Sequence, residues 1–170
     1  DLDNDGFLDL YVTMLDREFN NRPNLLARGS GDGNFTDVED LWGGRAPVEA
    51  LPCGAWALDL DRDGDLELVL PHGKEDFPDR TGIVELYENT SSNGGLTLEL
   101  TTNRGAPHGL GARVELRTDT GVQTREVRSV VHHGNSSVTP VHFGLGQDPG
   151  PYQVIVTWPN GSQQTVELPR

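Results

Sequence analysis

The chain has 170 residues, 34% of them hydrophobic and 6% aromatic, with 21 glycines and 11 prolines; so many turn formers exclude a bundle of long helices and point to an all-β protein. Its formal net charge of −14 excludes binding nucleic acid by phosphate neutralisation or docking on an anionic membrane, and leaves cations and solubility as the uses of the acidity. No apolar run approaches the ~20 residues of a membrane helix.

The first element is Asp1-Leu2-Asp3-Asn4-Asp5-Gly6-Phe7-Leu8-Asp9-Leu10-Tyr11-Val12, and it returns 58 residues later as Asp59-Leu60-Asp61-Arg62-Asp63-Gly64-Asp65-Leu66-Glu67-Leu68-Val69-Leu70. In both copies acids stand at positions 1, 3, 5 and 9 and glycine at 6. Carboxylates on alternate residues of a tightly curled loop face one point, as a calcium ion with its six to eight oxygen ligands requires. Asp1, Asp3, Asp5 and Asp9 are the candidate side-chain ligands of the first loop, with Asp59, Asp61, Asp63 and Glu67 those of the second. The main-chain carbonyls of Phe7 and Asp65, at position 7, complete each candidate shell. An EF-hand needs a bidentate Glu at position 12; here position 12 is Val12 or Leu70. Leu8, Leu10 and Val12, and Leu66, Leu68 and Leu70, alternate as a strand does.

Between the loops, Asn20 to Asn24 reads as a loop, Leu25 to Arg28 as a strand, and Gly29 to Asn34 as a tight turn into Phe35 to Val38, giving a hairpin. The Gly- and Pro-interrupted segment Glu39 to Pro52 connects to the second copy, where Ile83 to Asn89 takes the place of Asn24 to Arg28. Cys53, the lone cysteine, sits among Leu51, Pro52, Gly54 and Ala55 and reads as a small buried residue. A unit of 58 residues with several short strands is blade-sized, and such units stack to bury faces they cannot bury alone. Residue 1 is itself a candidate ligand, and the strand Gly54 to Leu58 has no counterpart before it, so the chain is expected to be a fragment cut inside a repeat.

A boundary is expected near Ser92 to Gly95, dividing the chain into residues 1–92 and 93–170. Beyond it the acidic triplets stop and short strands follow: Leu96 to Thr101, Ala112 to Arg117, Val122 to Val131, Val138 to Phe143, Tyr152 to Trp158 and Gln163 to Leu168. Tyr152, Val154, Val156 and Trp158 share one face. Pro159-Asn160-Gly161-Ser162 signals a two-residue hairpin turn. Arg113, Arg125 and Arg128 are expected to pair with Glu115 and Glu126 across strands. Adjacent His132 and His133 point to opposite faces of a strand and are expected to be solvated rather than to share a metal. Four glycosylation sequons, at Asn34, Asn89, Asn135 and Asn160, read as turn chemistry.

The segment Gly54 to Leu68 and the run Asn24 to Val38 resemble the FG-GAP or VCBS repeat of integrin-alpha-type β-propellers. Downstream, Asn103-Arg104, Gly109 to Val114, Arg125 to Ser129, His142 to Gly146 and Val156 to Gly161 resemble the ASPIC/UnbV domain, and the combination resembles the cartilage acidic protein-like family. Glu67, where the first copy has Asp9, and Val131 to Ser137 depart from the family pattern. The resemblance implies final blades of a calcium-binding β-propeller followed by a small antiparallel sandwich or barrel. The expected function is that of a secreted, cell-surface or periplasmic adhesion module, non-enzymatic, with structural calcium and a protein or glycan partner. The alternative is the targeting tail of a larger secreted enzyme acting on polysaccharide.

Overall fold

The computed structural model describes residues 1–14, 24–38, 51–52, 54–73, 82–102, 107–119, 121–132 and 135–169. Cys53, His133, most of Asn20 to Asn24, Asn103-Arg104 and most of the Glu39 to Pro52 connector lie outside these residues. The described residues hold β-strands and a single 3-10 turn at Pro107–Gly109, with no α-helix among them. They form two compact units: Asp1–Leu2, Phe7–Ser91 and His132–Asn135 make the first, and Asp3–Gly6, Ser92–Val131 and Ser136–Arg170 the second.

In the first unit, β1 (Leu10–Val12), β2 (Leu25–Gly29) and β3 (Phe35–Asp37) form an antiparallel sheet in that order. The turn between β2 and β3 is tied by Asp32, whose carboxylate accepts from the Ser30 hydroxyl at 2.6 Å, the Asn34 backbone amide at 3.1 Å and the Asn34 side chain at 2.7 Å. These bonds hold the Asp32 carboxyl below the usual carboxylate range, at about 2. At Gly29 a side chain has no room, because a Cβ would lie 2.1 Å from the Leu8 carbonyl oxygen.

The second sheet is built on β6 (Glu67–Gly73), which pairs with β4 (Leu51–Pro52), β5 (Trp56–Leu58) and β7 (Ile83–Tyr87). Strand alternation sends Leu68, Leu70 and His72 of β6 inward, all buried. His72 Nε2 lies 2.7 Å from Glu85 Oε2, within hydrogen-bonding distance of that carboxylate. The matching stripe of the first copy is less covered: Leu8 and Leu10 are 56% and 42% exposed and Val12 is half-buried, where their counterparts are a half-buried Leu66 and, at 6% and 0% exposed, Leu68 and Leu70. Equal sequence patterns thus have unequal burial, because burial depends on what packs over the face and not on the strand itself.

In the second unit, β10 (Val122–Glu126), β9 (Arg113–Arg117), β14 (Tyr152–Thr157) and β15 (Gln163–Leu168) form a four-stranded antiparallel sheet in that spatial order. β8 (Gly94–Leu98) pairs with β13 (Val141–Gly146), and β11 (Ser129–His132) with β12 (Asn135–Val138). Val114, Leu116, Val154 and Val156 from the large sheet meet Val141 and Phe143 from the small one in one core. Tyr152 and Trp158 pack against it on the same face of β14. This is a small antiparallel sandwich.

Several boundaries differ from the sequence reading, among them the strand expected from Leu96 to Thr101, which runs over Gly94–Leu98. The single strand expected from Val122 to Val131 breaks at Val127, which is buried and exchanges backbone hydrogen bonds with Gly111 and Ala112 at 2.8 Å each. The strand expected from Val138 to Phe143 breaks at Thr139-Pro140, where proline has no amide to donate. The last hairpin closes with three residues, Pro159 to Gly161, inside the Trp158 N–H to Ser162 carbonyl bond of 2.9 Å; Gly161 takes φ 83°, the left-handed conformation such loops need.

Phe143 is fully buried at the centre of the second unit's core. Phe143→Ala is expected to cost about 3–5 kcal/mol in urea unfolding, whereas Val122→Thr, at a position 61% exposed, is expected to change stability by under ~0.5 kcal/mol.

Candidate metal centre

The second acidic loop lies wholly within the first unit and is shaped by its backbone. Arg62 has φ 67° and Gly64 φ 96°, two left-handed residues that curl the chain between β5 and β6. The curl is closed by carboxylates accepting backbone amides: Asp61 Oδ1 from Asp63 N–H at 3.2 Å, Asp63 Oδ1 from Asp65 N–H at 3.0 Å, and Glu67 Oε2 from Leu60 N–H at 2.7 Å. The extra methylene of Glu67 is therefore accommodated by reaching back across the loop to position 2.

Asp59, Asp61 and Glu67 each present an oxygen, all within 4.8 Å of one another, and so do Asp63, Asp65 and Glu67. Glu67 belongs to both sets. Asp65 and Glu67 are only 5% and 4% exposed. Asp65 Oδ1 and Glu67 Oε1 are buried and accept no hydrogen bond among the described residues. A buried carboxylate oxygen without a donor costs free energy that folding does not tolerate without compensation. Burial, and then the nearness of the Glu67 and Asp63 carboxylates, push the Asp65 carboxyl up to about 7. These donors fit a hard divalent cation: the set is all oxygen and clustered, and two of its oxygens lack any other partner.

The sequence reading gave Asp65 only its main-chain carbonyl. Its side chain is instead turned into the loop, buried beside Glu67. Position 7 does not reveal this, because Phe7 occupies it in the first copy.

The first loop has the same backbone signature, with Asn4 at φ 58° and Gly6 at φ 96°, and its residues are divided between the units. In the first unit, Asp9 Oδ2 accepts from Leu2 N–H at 2.6 Å, as Glu67 does from Leu60, and lies 3.6 Å from the Asp1 amino group. Its other oxygen accepts from Gly29 N–H at 3.0 Å. Asp9 thus has amide donors on both oxygens, where Glu67 has one. Phe7 is 45% exposed, with its ring against Gly31. In the second unit, Asp3 Oδ1 accepts from Asp5 N–H at 3.2 Å.

Asn4, which the sequence reading passed over, is fully buried in the second unit. Its Oδ1 meets His142 Nε2 at 2.7 Å, its carbonyl accepts from Gly146 N–H at 2.7 Å, and its amide donates to the Asn93 carbonyl at 3.3 Å. His142 Nδ1 in turn meets the Thr97 hydroxyl at 3.0 Å.

The other candidates are accounted for by neighbours. Arg113 and Arg117 both pair with Glu115 at 3.1 Å, and Arg128 pairs with Glu126. Arg125 departs from the expected acid pairing: its guanidinium lies 5.2 Å from the centre of the Phe143 ring and donates to Gln123 Oε1 at 3.1 Å.

Residues 1–70 match the family model described as FG-GAP-like repeat, and residues 101–170 match that of ASPIC and UnbV. The chain therefore carries FG-GAP-like repeat sequence, of the kind that builds β-propeller blades, followed by an ASPIC/UnbV domain. No curated protein matches it. FG-GAP-like repeats are typical of extracellular proteins, and no described helix is long and apolar enough to cross a membrane.

The buried acids predict a sign reversal. With chelator present, Asp65→Asn/Glu67→Gln removes buried like charge and is expected to raise the melting temperature of the first unit by a few degrees relative to wild type. In millimolar calcium the same substitutions are expected to lower it. A decrease in both conditions would contradict the charge-crowding account.

Proposed function

We propose that the chain is a non-enzymatic, calcium-stabilised interaction module, secreted or displayed at a cell surface. The observation that carries the reading is the pair of buried, donorless oxygens on Asp65 and Glu67, within the cluster that Asp63 shares. A bound calcium ion supplies the positive charge that those carboxylates lack. Asp59, Asp61, Asp63, Asp65 and Glu67 hold it, while the loop hydrogen bonds keep their oxygens gathered. The ion's task is structural, because Glu67 is also the first residue of β6, on which the whole second sheet is built.

The first loop shares the curl, and Asp1, Asp3, Asp5, the Phe7 carbonyl and Asp9 are its proposed ligands, with Asp9 more fully engaged by amides than Glu67. Affinities of about 10⁻⁴–10⁻³ M are sufficient in calcium-rich extracellular fluid. Binding of a protein or glycan partner is assigned to surface loops on the blade scaffold, and the order of domains supports membership of the cartilage acidic protein-like family.

The test is thermal melting with 10 mM calcium and with chelator. At about 100 times the dissociation constant, ligand binding adds about 2.7 kcal/mol, which in a chain of this size raises the melting temperature by roughly 5–10 °C. Asp61→Ala/Asp63→Ala is expected to remove most of the shift. A wild-type melting temperature indifferent to calcium would overturn the proposal.

A further inference from the structure

The second unit has a feature that the metal loops do not use. A half-open pocket of about 210 Å³ lies between the inward face of β14 and β15 and the chain at residues 98–101. Its walls include Leu98, Val154, Val166, Leu168 and Trp158, together with Glu99. An apolar cavity of about 150 Å³ is enough to take a benzene molecule, so this one has room for a leucine, valine or phenylalanine side chain.

The pocket borders the edge of the sheet. β15 pairs with β14 through six consecutive residues, Tyr152 opposite Leu168 to Thr157 opposite Gln163, without a bulge. It has no second neighbour among the described residues. Its sequence, Gln163-Gln164-Thr165-Val166-Glu167-Leu168, contains neither lysine nor proline, so two of the devices that keep a sheet edge from accepting another strand are absent from it. Gln164, Val166 and Leu168 all line the pocket, which shows that the pocket lies on the face to which a strand added to β15 would turn every second side chain.

We propose that β15 and this pocket form a docking site for an extended, basic peptide segment of a partner protein. The peptide adds as a fifth strand, its main chain pairing with the outer edge of β15 and one apolar side chain entering the pocket beside Trp158. Charge selects the occupant. Glu99 lines the pocket on a chain whose net charge is −14, so a lysine-bearing strand is attracted and a second copy of this acidic chain is repelled.

The probe is a labelled peptide, Lys-Val-Lys-Leu-Lys-Val, titrated into the 170-residue chain in calcium with fluorescence anisotropy as the readout. Controls are Lys-Ser-Lys-Ser-Lys-Ser and Glu-Val-Glu-Leu-Glu-Val. The first peptide is expected to bind, with the serine and acidic peptides at least tenfold weaker. Val166→Arg, which fills the pocket, is expected to weaken binding at least tenfold, and Glu99→Gln severalfold. Gln164→Lys, at an exposed position on the mouth, repeats the test without burying a charge should Val166→Arg fail to fold by circular dichroism. The proposal is overturned if the serine peptide binds as well as the apolar one, which would show charge attraction alone. It is equally overturned if Gln164→Lys and a folded Val166→Arg bind as wild type. Self-association that Gln164→Lys abolishes, without peptide binding, would assign the edge to a second copy instead.

Discussion

The structure of the first unit depends on one carboxylate, that of Glu67. One of its oxygens ties the acidic loop shut at the Leu60 amide, and the other is buried with no donor. The residue also begins β6, the strand to which β4, β5 and β7 all pair. Removing its charge problem with a cation lets the loop keep its curl and the strand keep its starting point. Without one, burial and the neighbouring Glu67 and Asp63 carboxylates push the Asp65 carboxyl up. The site and the fold are therefore two consequences of the same residue.

The two loops show how one motif serves different ends. Both curl through a left-handed residue at position 4 and a glycine at position 6, and both use the position-9 acid to accept the position-2 amide. They diverge in what position 4 and position 9 do next. Arg62 is exposed, whereas Asn4 is fully buried and bonded to His142, Gly146 and Asn93. Asp9 gives its second oxygen to Gly29, a position where no side chain fits. The first copy has spent more of its polar groups on protein partners.

Much of this was legible in the sequence because its causes are local. The D-x-D-x-D-G spacing specifies a curled loop whatever surrounds it, and alternation in Tyr152 to Trp158 specifies a half-buried strand. The hairpin at Gly29 to Asn34 followed from its turn residues. What was not legible depends on distant partners. Asn4 reads as a loop residue until His142, 138 positions away, is placed beside it. The burial of the Asp65 side chain depends on how Glu67 folds back, and the break at Val127 depends on Gly111 and Ala112 taking its hydrogen bonds. Arg125 was expected to seek an acid and instead covers Phe143, because the sheet register sets it opposite Val114 rather than Glu115.

The central claim, that a cation completes the second loop, is tested most directly by the anomalous difference map of crystals grown in calcium. The account predicts a peak within about 2.3–2.6 Å of Asp65 Oδ1 and Glu67 Oε1. A map with no peak there at saturating calcium, with ordered water or a shared proton satisfying those two oxygens, would contradict it.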